Sequence, residues 1–408
     1  MKCQASFPRG ARLSVRPMNL GTADGVHLGL ESLTMISRLM LVALCVLGPL
    51  TCFAHGGNIN GEASYISFSV PGAFGTYPMS INASMEVTGY YYVSPTMTCG
   101  FLREADGTIT TFDVPGAVWT EPEGINAAGN ITGFYELTAG VPQGFVRYAD
   151  GRIVTFDPSP AQPGMPLEAQ PISINDFDEI AGNYPFPLVA SSVFTRSSGG
   201  TFNTIRAPLG ADYPTVVTAI NASGAVLGYS WDGEDNEPTG FLEHPDGYWE
   251  QIAIVPVEMN QKLCVAQTFP DAINAGGTIA GWYLNYTNSC YTKNIGGFVM
   301  SADGVFTLFQ PPGTLVMSPT PGFAVDGGSL TVPHWISIDQ AGDITGSYTD
   351  AAGVQHGFVR NPYGTISTFD PPEGKQTTAT SINDAGAIAG FYQYNAGGGP
   401  PVAFIRVP

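Results

Sequence analysis

The chain has 408 residues, with 51 Gly, 33 Pro and 34 acidic side chains against 15 basic ones, for a net charge of −19. An acidic surface of this kind repels phosphate backbones and anionic lipid headgroups, which sets nucleic acid aside as a partner. Helix-forming Lys, Glu, Gln and Leu are sparse while Thr, Ile, Val, Phe and Tyr abound, the balance of short strands joined by tight turns.

The first 54 residues differ from the rest. Ile36-Ser37-Arg38 leads into an apolar run over residues 39–50 (LMLVALCVLGPL). That run is too short to span a bilayer but suits the core of a secretory signal. Arg38 supplies the positive flank, and Ala54, after Cys52 and Phe53, is a small residue at a cleavage point. The reading is a signal peptide over 35–54 that starts at Met35, with residues 1–34 a non-native or disordered extension. No membrane span is expected in the mature chain, and the protein is expected to be secreted, extracellular or periplasmic. Removing residues 1–54 takes away five basic and two acidic side chains, so the net charge moves from −19 to −22. The mature part keeps Cys99, Cys264 and Cys290, an odd set that allows one internal disulfide and leaves one thiol.

From residue 64 onward the chain repeats. Seven copies of one segment follow in order: SINASMEVTGYY at Ser80, GINAAGNITGFY at Gly124, SINDFDEIAGNY at Ser173, AINASGAVLGYS at Ala219, AINAGGTIAGWY at Ala272, SIDQAGDITGSY at Ser337 and SINDAGAIAGFY at Ser381. Each has Asn at its third place except for Asp339. Val or Ile comes five residues later and Gly seven residues later in every copy. A second segment opens with Phe101, Phe145, Phe194, Phe241, Phe298, Phe358 or Phe404. Eleven residues beyond the first six of these stands Phe112, Phe156, Ile205, Ile252, Phe309 or Phe369.

Two spacings are therefore fixed, each around a short turn signal, and these are tight hairpins. The gaps between them vary: 12, 12, 12, 13, 17, 12 and 14 residues from Gly to Phe, and 14, 19, 16, 22, 30 and 14 from Phe or Ile to the next Asn. Four strands per repeat, A to D, follow. The fold expected is a single all-β domain over 64–408, a seven-bladed β-propeller of four-stranded antiparallel blades. The seventh copy lacks a strand D, and residues 65–70 read as a strand D with nothing before it. Phe68 lies 14 residues before Asn82, the commonest D-to-A gap. The N-terminal strand should close the last blade.

The A–B and C–D turns share one face, here called lower, and the variable B–C and D–A loops share the upper face, where binding residues usually sit. On the blade 4 B–C loop, Trp231 is followed by Asp232, Glu234, Asp235 and Glu237. Four carboxylates offer oxygen ligands to calcium, but the D-x-D-x-D-G pattern is absent and a solvated acidic loop is the simpler reading, so no cofactor is expected. Cys264 and Cys290 fall beside the same blade on this face, which favours their pairing in an oxidising compartment. Tyr286 and Tyr291 flank the blade 5 B–C loop, and Phe323, His334 and Trp335 lie on the longest connection. Their rings suit stacking on sugars or contact with a protein, or else pack the loop down. The repeated Asn reads as turn chemistry, its side chain bonding backbone N–H groups two residues on. So do Asp113, Asp157 and Asp370 of the T-F-D segments. No nucleophile elbow, metalloprotease helix or phosphate loop is present. Glu121, Glu123, Asp212 and Asp232 are carboxylates that a propeller could still bring together across blades.

The repeat resembles the bacterial extracellular HAF repeat family, named for a His-Ala-Phe at the start of one strand. The matching triplets here run from Cys99-Gly100-Phe101 to Val402-Ala403-Phe404. All seven keep the aromatic, with His once, at His356, and Ala once, at Ala403. The resemblance implies export from a bacterium and transfers no activity to any residue. The functional expectation is a secreted, non-enzymatic propeller that presents its upper loops to a glycan or protein. A hydrolase or lyase acting on extracellular polysaccharide and a structural envelope or matrix protein are the rival readings.

Overall fold

The structure, a computed structural model, describes residues 63–157, 169–184, 192–206, 215–231, 238–254, 258–259, 262–263, 267–287, 292–316, 336–394 and 399–408. Within them the chain is all-β: seven antiparallel blades form a seven-bladed propeller. Blade 1 shows the pattern, with strand A Thr76–Ile81, B Val87–Ser94, C Met97–Arg103 and D Ile109–Phe112. The other strands A are Trp119–Ile125, Gln170–Ile174, Thr215–Ile220, Gln267–Ile273, Ile336–Ile338 and Gln376–Ile382. Each strand A touches the strands A of both neighbouring blades around the full circle, so these strands line the centre.

Closure follows the sequence reading. Ser64–Phe68 pairs antiparallel with Val402–Val407, in the register Tyr65 to Arg406 and Phe68 to Ala403, and serves as strand D of blade 7. Blade 6 departs from the four-strand rule. Its strand A spans Ile336–Ile338 alone, and Thr314–Val316, from the long connection, pairs with the upper end of strand B instead. A two-stranded ribbon, Glu258–Met259 with Lys262–Leu263, decorates the connection from blade 4 to blade 5.

The repeated Asn does what its spacing suggests, and more. Asn82 Oδ1 accepts from the N–H groups of Ser84 and Glu86, both at 3.0 Å, and so closes its own turn. Its Nδ2 then donates to the carbonyl of Asn126 in the next blade, at 3.1 Å. The same bond runs from Asn126 to Asn175 at 3.1 Å, from Asn175 to Asn221 at 3.0 Å, from Asn274 to Asp339 at 3.1 Å and from Asn383 to Asn82 at 2.9 Å. The last of these closes the ring. Three residues after each Asn the backbone is left-handed; Gly serves five times, while Met85 (φ 64°) and Asp178 (φ 60°) accept the strain. Met85 offsets it by packing on the cluster that contains Val87, Phe101 and Ile405.

Strand A carries a bulge three residues before the Asn in six blades, at Met79, Glu123, Ile172, Thr218, Asp271 and Thr380. The bulge turns the carbonyl two residues earlier against the strand-B Gly. A Cβ at Gly89 or Gly133 would run into Tyr77 O or Glu121 O, and the same clash meets one at Gly182, Gly228, Gly281 and Gly390, so these six blades require Gly there. Strand A is also tied to the loop before it: Val70 and Val114 donate their N–H groups to Thr76 and Thr120 Oγ1.

Blades interlock through strands C and D. The buried Phe of strand C fills the space between sheets, and two residues on an Arg stacks over the strand-D ring of the preceding blade: Arg103 over Phe68, Arg147 over Phe112, Arg196 over Phe156, Arg360 over Phe309 and Arg406 over Phe369, at 4.9–5.2 Å. Where strand D carries Ile205 or Ile252 the next blade carries Glu243 or Met300 instead of Arg. Among the described residues no helix is long and apolar enough to cross a membrane.

The Asn ring separates two contributions by mutation. Asn383→Asp keeps the acceptor for Ala385 and Ala387 but loses the donor to Asn82 O, and is expected to cost about 1–2 kcal/mol in urea denaturation. Asn383→Ala loses both and is expected to cost more.

Candidate functional site

Most of the residues expected at the site, namely Asp232, Glu234, Asp235, Glu237, Tyr291, Phe323, His334 and Trp335, lie outside the described residues. So does the expected pair Cys264 and Cys290. Trp231 and Tyr286 fall at the upper ends of their strands B, within Val226–Trp231 and Ile279–Thr287, on the face the sequence assigns to them. Cys99, buried on strand C of blade 1, is disulfide-bonded, and its partner lies outside the described residues. Among the described residues no group of three or more His, Cys, Asp or Glu side chains is arranged to hold a metal ion.

The structure brings together a different set, at the inner edge of blades 1 and 2. Tyr77 stacks on Tyr90 with ring centres 5.1 Å apart and planes 12° from parallel. Tyr92 and Phe391 meet Tyr77 edge-on at 5.6 and 5.1 Å, and Tyr90 meets Tyr92 at 6.0 Å. The cross-strand register explains the grouping: Tyr77 faces Tyr90 across strands A and B, and Tyr92 is two residues further along the same side. Phe391 comes from strand B of blade 7, across the closure.

Two carboxyls, Glu121 and Glu123, adjoin these rings, and a third, Glu136, adjoins Glu121. On blade 2 Trp119 pairs with Glu136 and Glu121 with Phe134, so all four share one side of the sheet. Trp119 Nε1 donates to Thr96 O at 3.2 Å, which holds the indole at the upper rim. Glu121 is 5% exposed. Burial, aided by the charge of Glu136 and opposed by a hydrogen bond from Thr98, pushes its pKa up to about 7. Glu123, the bulged residue, keeps some open surface, but its carboxyl is enclosed; burial and then Glu121 push it well above the carboxylate range. Burial also raises Glu136, against the N–H of Gly140, which donates to its Oε2 at 2.7 Å. The Tyr90 hydroxyl is raised well above its ordinary value, by burial first and then by Glu121.

At the bulge of blade 5 stands Asp271, 2% exposed, with a hydrogen bond from the Ile336 N–H and its Oδ2 without a hydrogen-bond partner. Burial pushes it far up as well. Ile172, Thr218, Ile336 and Thr380, at the same level, are all buried, while Met79 and Glu123 are half-buried. Glu123 stands at this level too, and the aromatic rings, Glu121 and Glu136 lie above it. Glu121 and Glu123 were visible in sequence as carboxylates; Asp212 and Asp232 lie outside the described residues.

A second polar cluster lies on blade 6. His356 Nδ1 is 2.7 Å from Asp370 and Nε2 is 3.4 Å from Asp350. Burial lowers the imidazole pKa, and the two carboxylates outweigh it and hold it above 6.5. Thr377 Oγ1 donates to the other oxygen of Asp370 at 2.5 Å, as Thr120 does to Asp113 at 2.7 Å. The T-F-D aspartates thus anchor the D–A connection to strand A, a larger role than the turn chemistry expected of them.

No family model matches the chain, and no curated protein matches it. Among solved structures it is similar to polysaccharide lyase Uly1, at 8% identity and a TM-score of 0.49 over 86% of this chain and 94% of that one. It is similar to a puromycin hydrolase at 13% identity and 0.49, over 81% and 53%. It is similar to the lectin of Aleuria aurantia at 10% identity and 0.39, over 72% and 95%. The chemistry of the site has to be read from its own residues.

Two pH effects are expected. The unfolded chain releases the Glu121 proton near pH ~4.3 and the folded chain near 7. Between those values the unfolded state binds fewer protons, so stability falls as pH rises, by up to about 1.4 kcal/mol per pH unit, and levels off above the folded value. In urea denaturation Glu121→Gln should remove that fall and gain on wild type by on the order of 3 kcal/mol between pH 4 and pH 8. For His356 the raised folded value means stability present at low pH and lost as pH climbs through that value. An NMR titration should place the ring's midpoint above 6.5, and Asp370→Asn should lower it.

Proposed function

We propose that the protein is a secreted, non-enzymatic glycan-binding propeller whose site is the inner upper edge of blades 1 and 2. The observation that carries this reading is the joining of an aromatic group, Tyr77, Tyr90, Tyr92 and Phe391, to the Glu121 carboxyl, whose pKa burial pushes up to about 7. A flat ring offers a surface for the C–H face of a sugar. A protonated carboxyl and a tyrosine hydroxyl each donate and accept one hydrogen bond, which matches a sugar hydroxyl.

Export is supported by the apolar run at 39–50 and by the disulfide at Cys99, which suits an oxidising compartment. Kinship with the HAF repeat family belongs to this proposal. The tie between His356 and Asp370 gives the His of that triplet a physical task, to bind the T-F-D carboxylate of its own blade.

The test is a glycan array with the purified protein, followed by calorimetry on the sugars that bind. Tyr92→Ala should weaken binding by about tenfold or more while leaving the melting curve cooperative. No glycan bound, or affinity untouched by this substitution, would sink the proposal.

A further inference from the structure

Five blade joints are filled in one way, by an Arg at the lower end of strand C laid over the strand-D ring of the preceding blade. The joint of blades 1 and 2 shows what surrounds such a cation. Burial lowers the Arg147 pKa, and Asp150 of its own turn, Glu104 and Glu86 oppose that. Glu86 comes four residues after Asn82, and Glu104 directly after Arg103. Blade 1 thus offers two acids to the arginine of blade 2.

The joint of blades 3 and 4 has neither member of the pair. Ile205 stands at the place of the ring and Glu243 at the place of the arginine. A cavity of about 200 Å³ opens there on the lower face, lined by Glu179, Thr195, Ser197, Asn203, Ile220 and Gly224. Glu179, four residues after Asn175, and Ser197, directly after Arg196, are the counterparts of Glu86 and Glu104. The match extends to the next A–B turn. A Cβ at Gly129 would lie 3.3 Å from Glu86 Oε2, and one at Gly224 3.2 Å from Glu179 Oε2. The cavity is therefore the slot that an arginine of blade 4 would fill.

The other exception, between blades 4 and 5, is closed by apolar packing, with Ile252 and Met300 in one cluster. Glu243 closes nothing. It shares a side of blade 4 with Ile220, in register through Val226, and its Oε2 is buried without a hydrogen-bond partner. Arg196 also borders the cavity, but its guanidinium is engaged with the Phe156 ring at 4.9 Å and Ser197 O at 3.3 Å. Arg206 ends strand D of blade 3 at the opposite, upper end. Thr201 and Asn203 are exposed, so the slot is open to solvent.

We propose that this slot binds a guanidinium group from outside, that of free arginine or of an arginine in a peptide, with Glu243 and Glu179 as its countercharges. A guanidinium carries five N–H donors in a rigid fork, which suits two carboxylates and the hydroxyl and amide oxygens of Thr195, Ser197 and Asn203. The site is on the lower face and stands apart from the glycan reading.

The experiment is calorimetry on the intact protein at pH 8, above the value of about 7 to which burial lifts Glu243. The probes are methylguanidinium, free arginine, a blocked Gly-Arg-Gly peptide and, as an uncharged isostere, methylurea. The expected result is saturable binding of methylguanidinium with Kd on the order of 1 mM, and none of methylurea. Tighter binding of the peptide than of free arginine assigns the slot to a protein partner, and the reverse order to the amino acid. Glu243→Gln should weaken methylguanidinium at least about tenfold, with circular dichroism confirming the fold. Glu243→Arg should fill the slot from within, abolish binding and raise the melting temperature. Methylurea binding as well as methylguanidinium, affinity unchanged in Glu243→Gln, or no saturable binding of any cation overturns the proposal.

Discussion

At five of the seven A–B turns the opening Asn makes two kinds of hydrogen bond at once, and the rest of the molecule depends on that coincidence. Its oxygen closes a turn within one blade, a local event set by a few residues of sequence. Its nitrogen reaches the carbonyl of the next Asn along, a contact between residues 44 to 65 apart, and 301 apart at the closure. A blade that folds its hairpin correctly thereby presents the donor that fixes its neighbour. At Asp339 the donor is missing, and the link is made one residue later, by the N–H of Gln340 to Asp384 at 3.0 Å. Because the ring lies on the lower face, the upper ends of the strands are free to differ.

Above the Asn ring, one geometric cause propagates outward. The strand-A bulge turns a carbonyl toward strand B, strand B answers with Gly, and the sheet can then bring the strand-C Phe into the joint. The strand-D ring of one blade and the strand-C Arg of the next complete it. Such joints hold each blade only to its neighbours, as in repeat proteins generally. They are also specific. Phe is matched with Arg at five joints, while Ile205 meets a blade bearing Glu243 and Ile252 one bearing Met300. Glu243 shows the cost of the exception: its Oε2 is buried without a hydrogen-bond partner, and burial lifts its pKa to about 7.

The ring, its blade count and its closure were legible because turn chemistry and strand length force constant spacings, and a fixed spacing survives in a bare sequence. The strand-D character of residues 65–70 could be read for the same reason. The bulges could not, since a feature present in six blades leaves every spacing unchanged. Nor could the split strand A of blade 6, whose upper half comes from Thr314–Val316 across a long connection. The aromatic and carboxyl group of the proposed site was not singled out by the sequence pattern. Trp231 and Tyr286 end strands B at the variable loops, whereas the ring and carboxyl group stands on strands A and B of blades 1, 2 and 7. On strand A the position five before the Asn reads Tyr77, Glu121, Gln170, Val216, Phe269 and Thr378, and the position three before it reads Met79, Glu123, Ile172, Thr218, Asp271 and Thr380. Variation at inner-ring positions of an otherwise regular repeat was the signal available. What it could not convey was that Tyr90 and Phe391, from different blades, converge on Tyr77.

The pairing of Ser64–Phe68 with Val402–Val407 also sets an order of events during biosynthesis. The first of the described strands is the last to find its partner, and until then blade 7 lacks its fourth strand. The growing chain is an open arc with two sticky ends, and local hairpins accumulate without any being locked. Commitment to the native state is thus deferred until the whole domain has been synthesised.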